Sequence, residues 1–251
     1  MRIIASLLLS EDKIVQTYGF SDCSIIGSPI VTTKHLEQWG IDEFLIIQKD
    51  NSYIHLVENL RAIVSKTSTP ITVCGGLDSI EKCSKLIQSG ADRICIQSLI
   101  FKDFDAIKSL AEAYGGQSIT VKFDINPAKK QLRSFNQMPY QDFIDVFPSL
   151  QENLVSLDVT DLLFYDINAD GNEKTPDFSL LNDLNLQSFS VILGGGLNQG
   201  NCKRYYQKFV NQVNDLSLSF SNCLYQHELE SKQIIQALGN TFSQHRFYQE
   251  L

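Results

Sequence analysis

Eight short β-rich runs, most of their positions apolar, recur along the chain at 3–9, 43–47, 71–74, 93–97, 119–124, 161–167, 189–193 and 216–220. Runs of this kind fit strands buried on both faces of a parallel sheet, where the polar alternation of a half-exposed strand is missing. Between them, 55–64, 79–88, 104–113, 141–151, 201–210 and 230–238 carry the apolar stripe of amphipathic helices. Eight strands alternating with helical pattern predict an α/β fold, a single (β/α)8 TIM barrel; a doubly wound sheet usually has five or six strands. Positions 129–136, after the fifth strand, are expected to form a small hairpin excursion.

The pattern repeats internally. Cys74-Gly75-Gly76-Leu77-Asp78 and Gly194-Gly195-Gly196-Leu197-Asn198 match as x-Gly-Gly-Leu-Asx at an offset of 120, and Glu43-Phe44-Leu45-Ile46 echoes Asp161-Leu162-Leu163-Phe164 at an offset of 118. Two matches at nearly one spacing predict a duplicated half-barrel, with halves of roughly 1–117 and 118–240 inside one domain spanning 1–251. The length of 251 residues suits one barrel of this type.

Composition narrows the function classes. The net charge of −8, without a basic stripe, argues against nucleic acid and anionic membranes as partners. No run reaches the roughly 20 apolar residues of a membrane span. The apolar start, Met1 to Ser10, lacks a basic lead and a small-residue cleavage pattern, so it predicts a strand and not a signal peptide. Cys23, Cys74, Cys83, Cys95, Cys202 and Cys223 show no CxxC spacing and suggest reduced thiols in a cytoplasmic protein.

Candidate chemistry centres on the two glycine pairs. Each follows the third strand of its half and precedes a helix, so bare backbone can approach an anion closely. Gly75 and Gly76, completed by Gln97 and Ser98, predict one phosphate nest; Gly195 and Gly196, completed by Ser221 and Asn222, predict the other. A turn that merely connects strand to helix is the plainer alternative for either pair alone. Two symmetric copies suggest a ligand with a phosphate at each end.

Arg2-Ile3-Ile4-Ala5, Gly40-Ile41-Asp42-Glu43, Gly90-Ala91-Asp92-Arg93 and Asp170-Gly171, together with the duplicated halves, resemble HisF, the cyclase subunit of imidazole glycerol phosphate synthase, over essentially the whole chain. The resemblance implies a HisH-like glutaminase partner, docked at the N-terminal face, whose ammonia crosses the barrel to a doubly phosphorylated substrate. It implies two acid/base aspartates, atop the first and fifth strands. Asp124 fills the second of these positions and Leu8 stands at the first. Losing one acid/base group typically costs about 10²–10⁴ in rate. By the same resemblance, Gln48 replaces an aspartate, Gln16 stands on a flexible loop where a lysine is expected, and Asn172 replaces a threonine while keeping the ability to donate to phosphate. Asp166 and Asp170, in the sixth loop, are the other catalytic candidates.

Arg2, Glu43, Arg93 and Asp161 begin strands one, two, four and six, and match the charged gate that admits ammonia in HisF. A structural salt-bridge layer is the competing reading, although buried ion pairs are poor evidence for stability. The expectation is therefore a HisF-like subunit of a glutamine-dependent amidotransferase, its cyclase chemistry put in question by Leu8, with amidino-sugar synthesis for surface polysaccharides as a candidate pathway. The histidine-pathway cyclase and a non-catalytic glutaminase-activating scaffold are the alternatives. No cofactor and no metal is expected: His35, His55, His227 and His245 lack ligand spacing, and Asp166–Gly171 lacks the closing glutamate of a calcium loop.

Overall fold

The computed structural model describes residues 1–18, 22–50, 52–133, 137–172, 174–226 and 233–234. Its strands are β1 (Ile3–Ser10), β2 (Lys13–Tyr18), β3 (Asp22–Gly27), β4 (Glu43–Gln48), β5 (Ile71–Cys74), β6 (Arg93–Ile96), β7 (Ile119–Asn126), β8 (Gln131–Leu132), β9 (Asp161–Asp166), β10 (Leu186–Gly194) and β11 (Val213–Phe220). Its helices are α1 (Pro29–Gln38), α2 (Tyr53–Val64), α3 (Ile80–Gln88), α4 (Leu99–Lys102), α5 (Phe104–Tyr114), α6 (Tyr140–Ser156), α7 (Cys202–Phe209) and α8 (Cys223–Gln226). Parallel pairing runs β1-β4-β5-β6-β7-β9-β10-β11, and β11 returns to β1 through Ile3↔Leu218 and Ala5↔Phe220. The sheet is thus a closed eight-stranded parallel barrel with helices between its strands, the predicted fold.

Strand period sorts the core into two compartments. Ile3, Ala5, Leu7 and Leu9 of β1 face outward into the large layer beneath the helices. Ile4 faces inward with Leu45, Ile47, Cys74, Cys95, Leu163, Tyr165 and Ile192. By the same alternation Ser6 and Leu8 face the barrel interior, and the Ser6 hydroxyl meets that of Ser219 at 2.5 Å.

Two of the quoted motifs act structurally at the barrel's lower rim. Gly40 and Gly90 have φ of 86° and 105°, ending α1 and α3 in a conformation costly for other residues. The aspartate two positions on then caps a neighbouring strand: Asp42 Oδ2 accepts from Ile3 N, and Asp92 Oδ2 from Ile71 N, each at 2.8 Å.

One expectation changes. The segment after β1 is a hairpin, not a flexible loop: β2 pairs antiparallel with β1 (Leu8↔Val15, Leu9↔Ile14) and β3 with β2. Gln16 is buried there, donating to the Tyr18 hydroxyl at 3.4 Å. The excursion after the fifth barrel strand is the expected small hairpin, β8 pairing antiparallel with the end of β7 (Ile125↔Leu132), with 134–136 outside the described residues. His227 and His245 also lie outside them, as does the helix expected at 230–238 apart from helical positions 233–234.

Candidate functional site

The four charges at the strand starts converge. Arg2 Nη1 lies 2.8 Å from Glu43 Oε2 and Arg2 Nη2 3.0 Å from Asp161 Oδ2. Arg93 reaches the same two oxygens, through Nη1 at 3.2 Å and Nε at 3.7 Å. Each guanidinium bridges both carboxylates, so the ring closes with alternating sign. The planar fork of arginine lets different N–H groups of one side chain reach the two carboxylates. Glu43 is only 2% exposed and also accepts from Thr72 Oγ1 at 2.5 Å. Burial works against the Arg2 charge, but Glu43 and Asp161 outweigh it and hold its pKa above the ordinary value.

Higher in the interior, the candidates Asp124 and Asp170 gather with Lys122 and Tyr165, which the sequence did not single out. Lys122, 3% exposed, forms an ion pair with Asp124 two residues on along β7. Residues two apart on a strand share a face, so both project into the barrel. Burial pulls the Lys122 pKa down, yet Asp124 leaves it above the ordinary value, so the amine is an ammonium. Its Nζ stands 5.1 Å from the centre of the Tyr165 ring. The Tyr165 hydroxyl donates to Asp170 Oδ1 at 2.7 Å. Burial raises the Asp170 pKa to about 6, despite the opposing Tyr165 hydrogen bond and Lys122 charge. Leu8, 1% exposed, brings no polar group to this level. A signal for the cluster was present in the sequence: a lysine inside a buried parallel strand, two residues before an aspartate on the same face, points to an interior ion pair.

The two Gly-Gly turns adopt the same backbone class, with positive φ at Gly75, Gly76, Gly195 and Gly196. In each, the first glycine packs against the end of an earlier barrel strand: a Cβ would stand 2.7 Å from the Gln48 carbonyl oxygen at Gly75, and 2.2 Å from that of Asp166 at Gly195. The second glycines differ. Space beside Gly76 is open, whereas a Cβ on Gly196 would meet Ala169 Cβ at 2.6 Å.

Two cavities share the first turn. One is lined by Gln48, Asp50, Tyr53, Gly75, Gly76, Asp78 and Lys82. The other adds Cys74, Cys95, Gln97, Ser98 and Lys102. The structure therefore brings together Gly75, Gly76, Gln97 and Ser98, as the sequence groups them.

Around the second turn, the expected donors have protein partners. Asn222 Nδ2 donates to the Thr17 carbonyl on β2 at 2.9 Å. Asn172 Nδ2 donates to the carbonyls of Asn168 and Asp170 at 3.1 and 3.3 Å. Ser221 Oγ donates to Asn222 Oδ1 at 3.4 Å. Asp166 is engaged by its own loop, accepting the backbone N–H of Asn168 (2.8 Å), Ala169 (3.2 Å) and Asp177 (2.9 Å). Burial raises its pKa against those three bonds. Among the described residues no cluster of three or more His, Cys, Asp or Glu could hold a metal ion, and no helix is long and apolar enough to cross a membrane.

Comparison with known proteins gives one consistent likeness. The chain is 26% identical over 201 residues to the imidazole glycerol phosphate synthase subunit HisF of Exiguobacterium sp., covering 78% of each chain. It is 26% identical over 249 residues to the HisF subunit of Clostridium botulinum strain Alaska E43, covering 95% of this chain and 96% of that one. A putative imidazole glycerol phosphate synthase subunit hisF2 of Campylobacter jejuni is 25% identical over 202 residues, with coverage of 79% and 80%. Residues 2–208 match the family described as histidine biosynthesis protein, and the chain belongs to that family as a HisF-type barrel.

Proposed function

We propose that this chain is the barrel subunit of a glutamine-dependent synthase, working in the cytoplasm with a HisH-like glutaminase docked at its N-terminal face. The observation that carries the reading is the closed ring of Arg2, Glu43, Arg93 and Asp161 at that face. An alternating ring of fixed charges has no stability advantage over apolar packing, which favours a role in admitting ammonia. The upper face takes an anionic small molecule at Gly75, Gly76, Gln97 and Ser98. Imidazole-forming ring closure is put in question, because Leu8 cannot transfer a proton and Asp124 is paired with Lys122. Transfer of the nitrogen to a separate amidino-sugar synthase is the pathway that fits a carrier barrel.

The test uses the full chain with a HisH-like glutaminase from the same genome. Glutamine hydrolysis is expected to rise at least tenfold on mixing, and Glu43→Gln in the ring to reduce that gain. An unchanged glutaminase rate with every such partner would sink the proposal. The relatives' names favour the histidine-pathway cyclase; robust imidazole glycerol phosphate formation from ammonium and the HisF substrate would establish it. The scaffold reading is favoured by Lys122 and Tyr165, which fill the interior above the ring. It predicts glutaminase activation with no glutamine-derived nitrogen in product once free ammonium is trapped.

A further inference from the structure

The two Gly-Gly turns are equal in sequence and unequal in surroundings, and the inequality selects a ligand. We infer that the upper-face ligand carries one anionic group, seated beside Gly76, with a hydroxyl or amino group against Gln48, and that the second-half turn binds no anion. The inference rests on the reading that the upper face takes an anionic small molecule.

The first turn has room and, lining it, a buried acceptor without a partner. Nothing lies within 4 Å of a Cβ built on Gly76, and cavities open on both sides of the turn. Gln48 lines one of them and is nine-tenths buried, at 7% exposure. Its Nε2 is turned to the Asp50 carboxylate. That pairing fixes the amide, since a carboxylate only accepts. Oε1 therefore faces away from Asp50, and it has no hydrogen-bond partner. A lone buried acceptor is costly and is matched by a donor on a ligand. Lys82, already paired with Asp78 at 2.8 Å, and Lys102 supply positive charge on either side. Asp50 faces the same space, but it is occupied by the N–H groups of Glu11 and Ser52 and by Gln48.

Among the described residues, the second turn is crowded by its own chain. Ala169 fills the space beside Gly196, and the Thr17 carbonyl would lie 1.9 Å from a Cβ on Gly171. The Asn222 amide is tied to that same carbonyl. Three N–H groups that would suit a phosphate hold the Asp166 carboxylate instead. An anion arriving there would meet Asp166, Asp170 and Asp177, where the first turn sets Lys82 and Lys102 against Asp50 and Asp78.

Titration of the full chain with inorganic phosphate, fructose 6-phosphate and fructose 1,6-bisphosphate, followed by calorimetry and phosphorus NMR, tests this. One phosphate per chain is expected, with the bisphosphate binding within threefold of the monophosphate. Ser98→Asp and Gly76→Asp are each expected to weaken all three probes at least tenfold, and Asn222→Ala by less than twofold. Gln48→Leu should weaken fructose 6-phosphate severalfold and leave inorganic phosphate unchanged. Two phosphates per chain, a bisphosphate bound tenfold tighter, or equal sensitivity to Asn222→Ala and Ser98→Asp would overturn the single-anion inference while leaving an anion-binding upper face intact. No binding of any probe by folded protein would overturn both.

Discussion

The two ends of the barrel interior handle buried charge in opposite ways. At the bottom, two guanidiniums and two carboxylates share four contacts between 2.8 and 3.7 Å, so loss of one member leaves each remaining charge an opposite neighbour. Towards the top, Lys122 and Asp124 meet in a deeper setting, beside an aromatic ring and a second carboxylate whose proton is held to about pH 6. The lower arrangement is distributed and the upper one concentrated. The difference teaches where this barrel is sensitive: a ring tolerates damage that a buried pair does not.

The largest effect expected is therefore at the top. Lys122→Met removes the cation from Asp124 and should cost about 3–5 kcal/mol by urea denaturation near neutral pH. Adding Asp124→Leu should recover most of it, and failure of the double variant to recover would show that the pair is not the concentrated element described above.

At the bottom, Arg2→Met should cost less, roughly 1–3 kcal/mol, because Arg93 still faces Glu43 and Asp161. A loss as large as that from Lys122→Met would erase the contrast between the ends. Asp170 supplies the smallest and opposite effect. Its pKa is higher folded (about 6) than its ordinary 3.8, so folding favours the protonated form. Its contribution is best below the unfolded value and is lost as pH rises to about 6. Asp170→Asn keeps an acceptor for Tyr165 and should stabilise the protein above that pH by on the order of 1–2 kcal/mol, with little change near pH 4. Thermal denaturation across that range reads the effect directly; destabilisation by Asp170→Asn at neutral pH would contradict it.

The barrel was legible because its signal is one-dimensional. Continuous β-rich runs at 71–74 and 161–167 announce buried strands whatever lies beside them. The ring residues were legible for a related reason: strand starts in a parallel barrel all reach one rim. The meeting of Lys122 with Tyr165 and the crowding of the second turn depend on contacts between elements far apart in sequence. Nothing near Asn222 in sequence indicates that Thr17, 205 positions away, supplies the carbonyl it binds. The hairpin was missed because Lys13–Tyr18 is short and its buried polar residues, Gln16 and Thr17, read as loop. In the structure those residues are covered by the barrel mouth, a tertiary effect that strand propensity does not encode.

The closure of β1 on β11 has a consequence in time. Their pairing joins Ile3 to Leu218, so during synthesis β1 waits for its last partner until more than two hundred further residues exist, roughly 10–40 s at ordinary translation rates. Over that interval its outer edge is an unpaired apolar template of the kind that recruits other chains. The hairpin shortens the exposure, because β2 emerges almost at once and takes the upper end of β1 at Leu8–Ser10. A segment that later helps shut the second turn is thus, during birth of the chain, expected to be a chaperone in cis for its first strand.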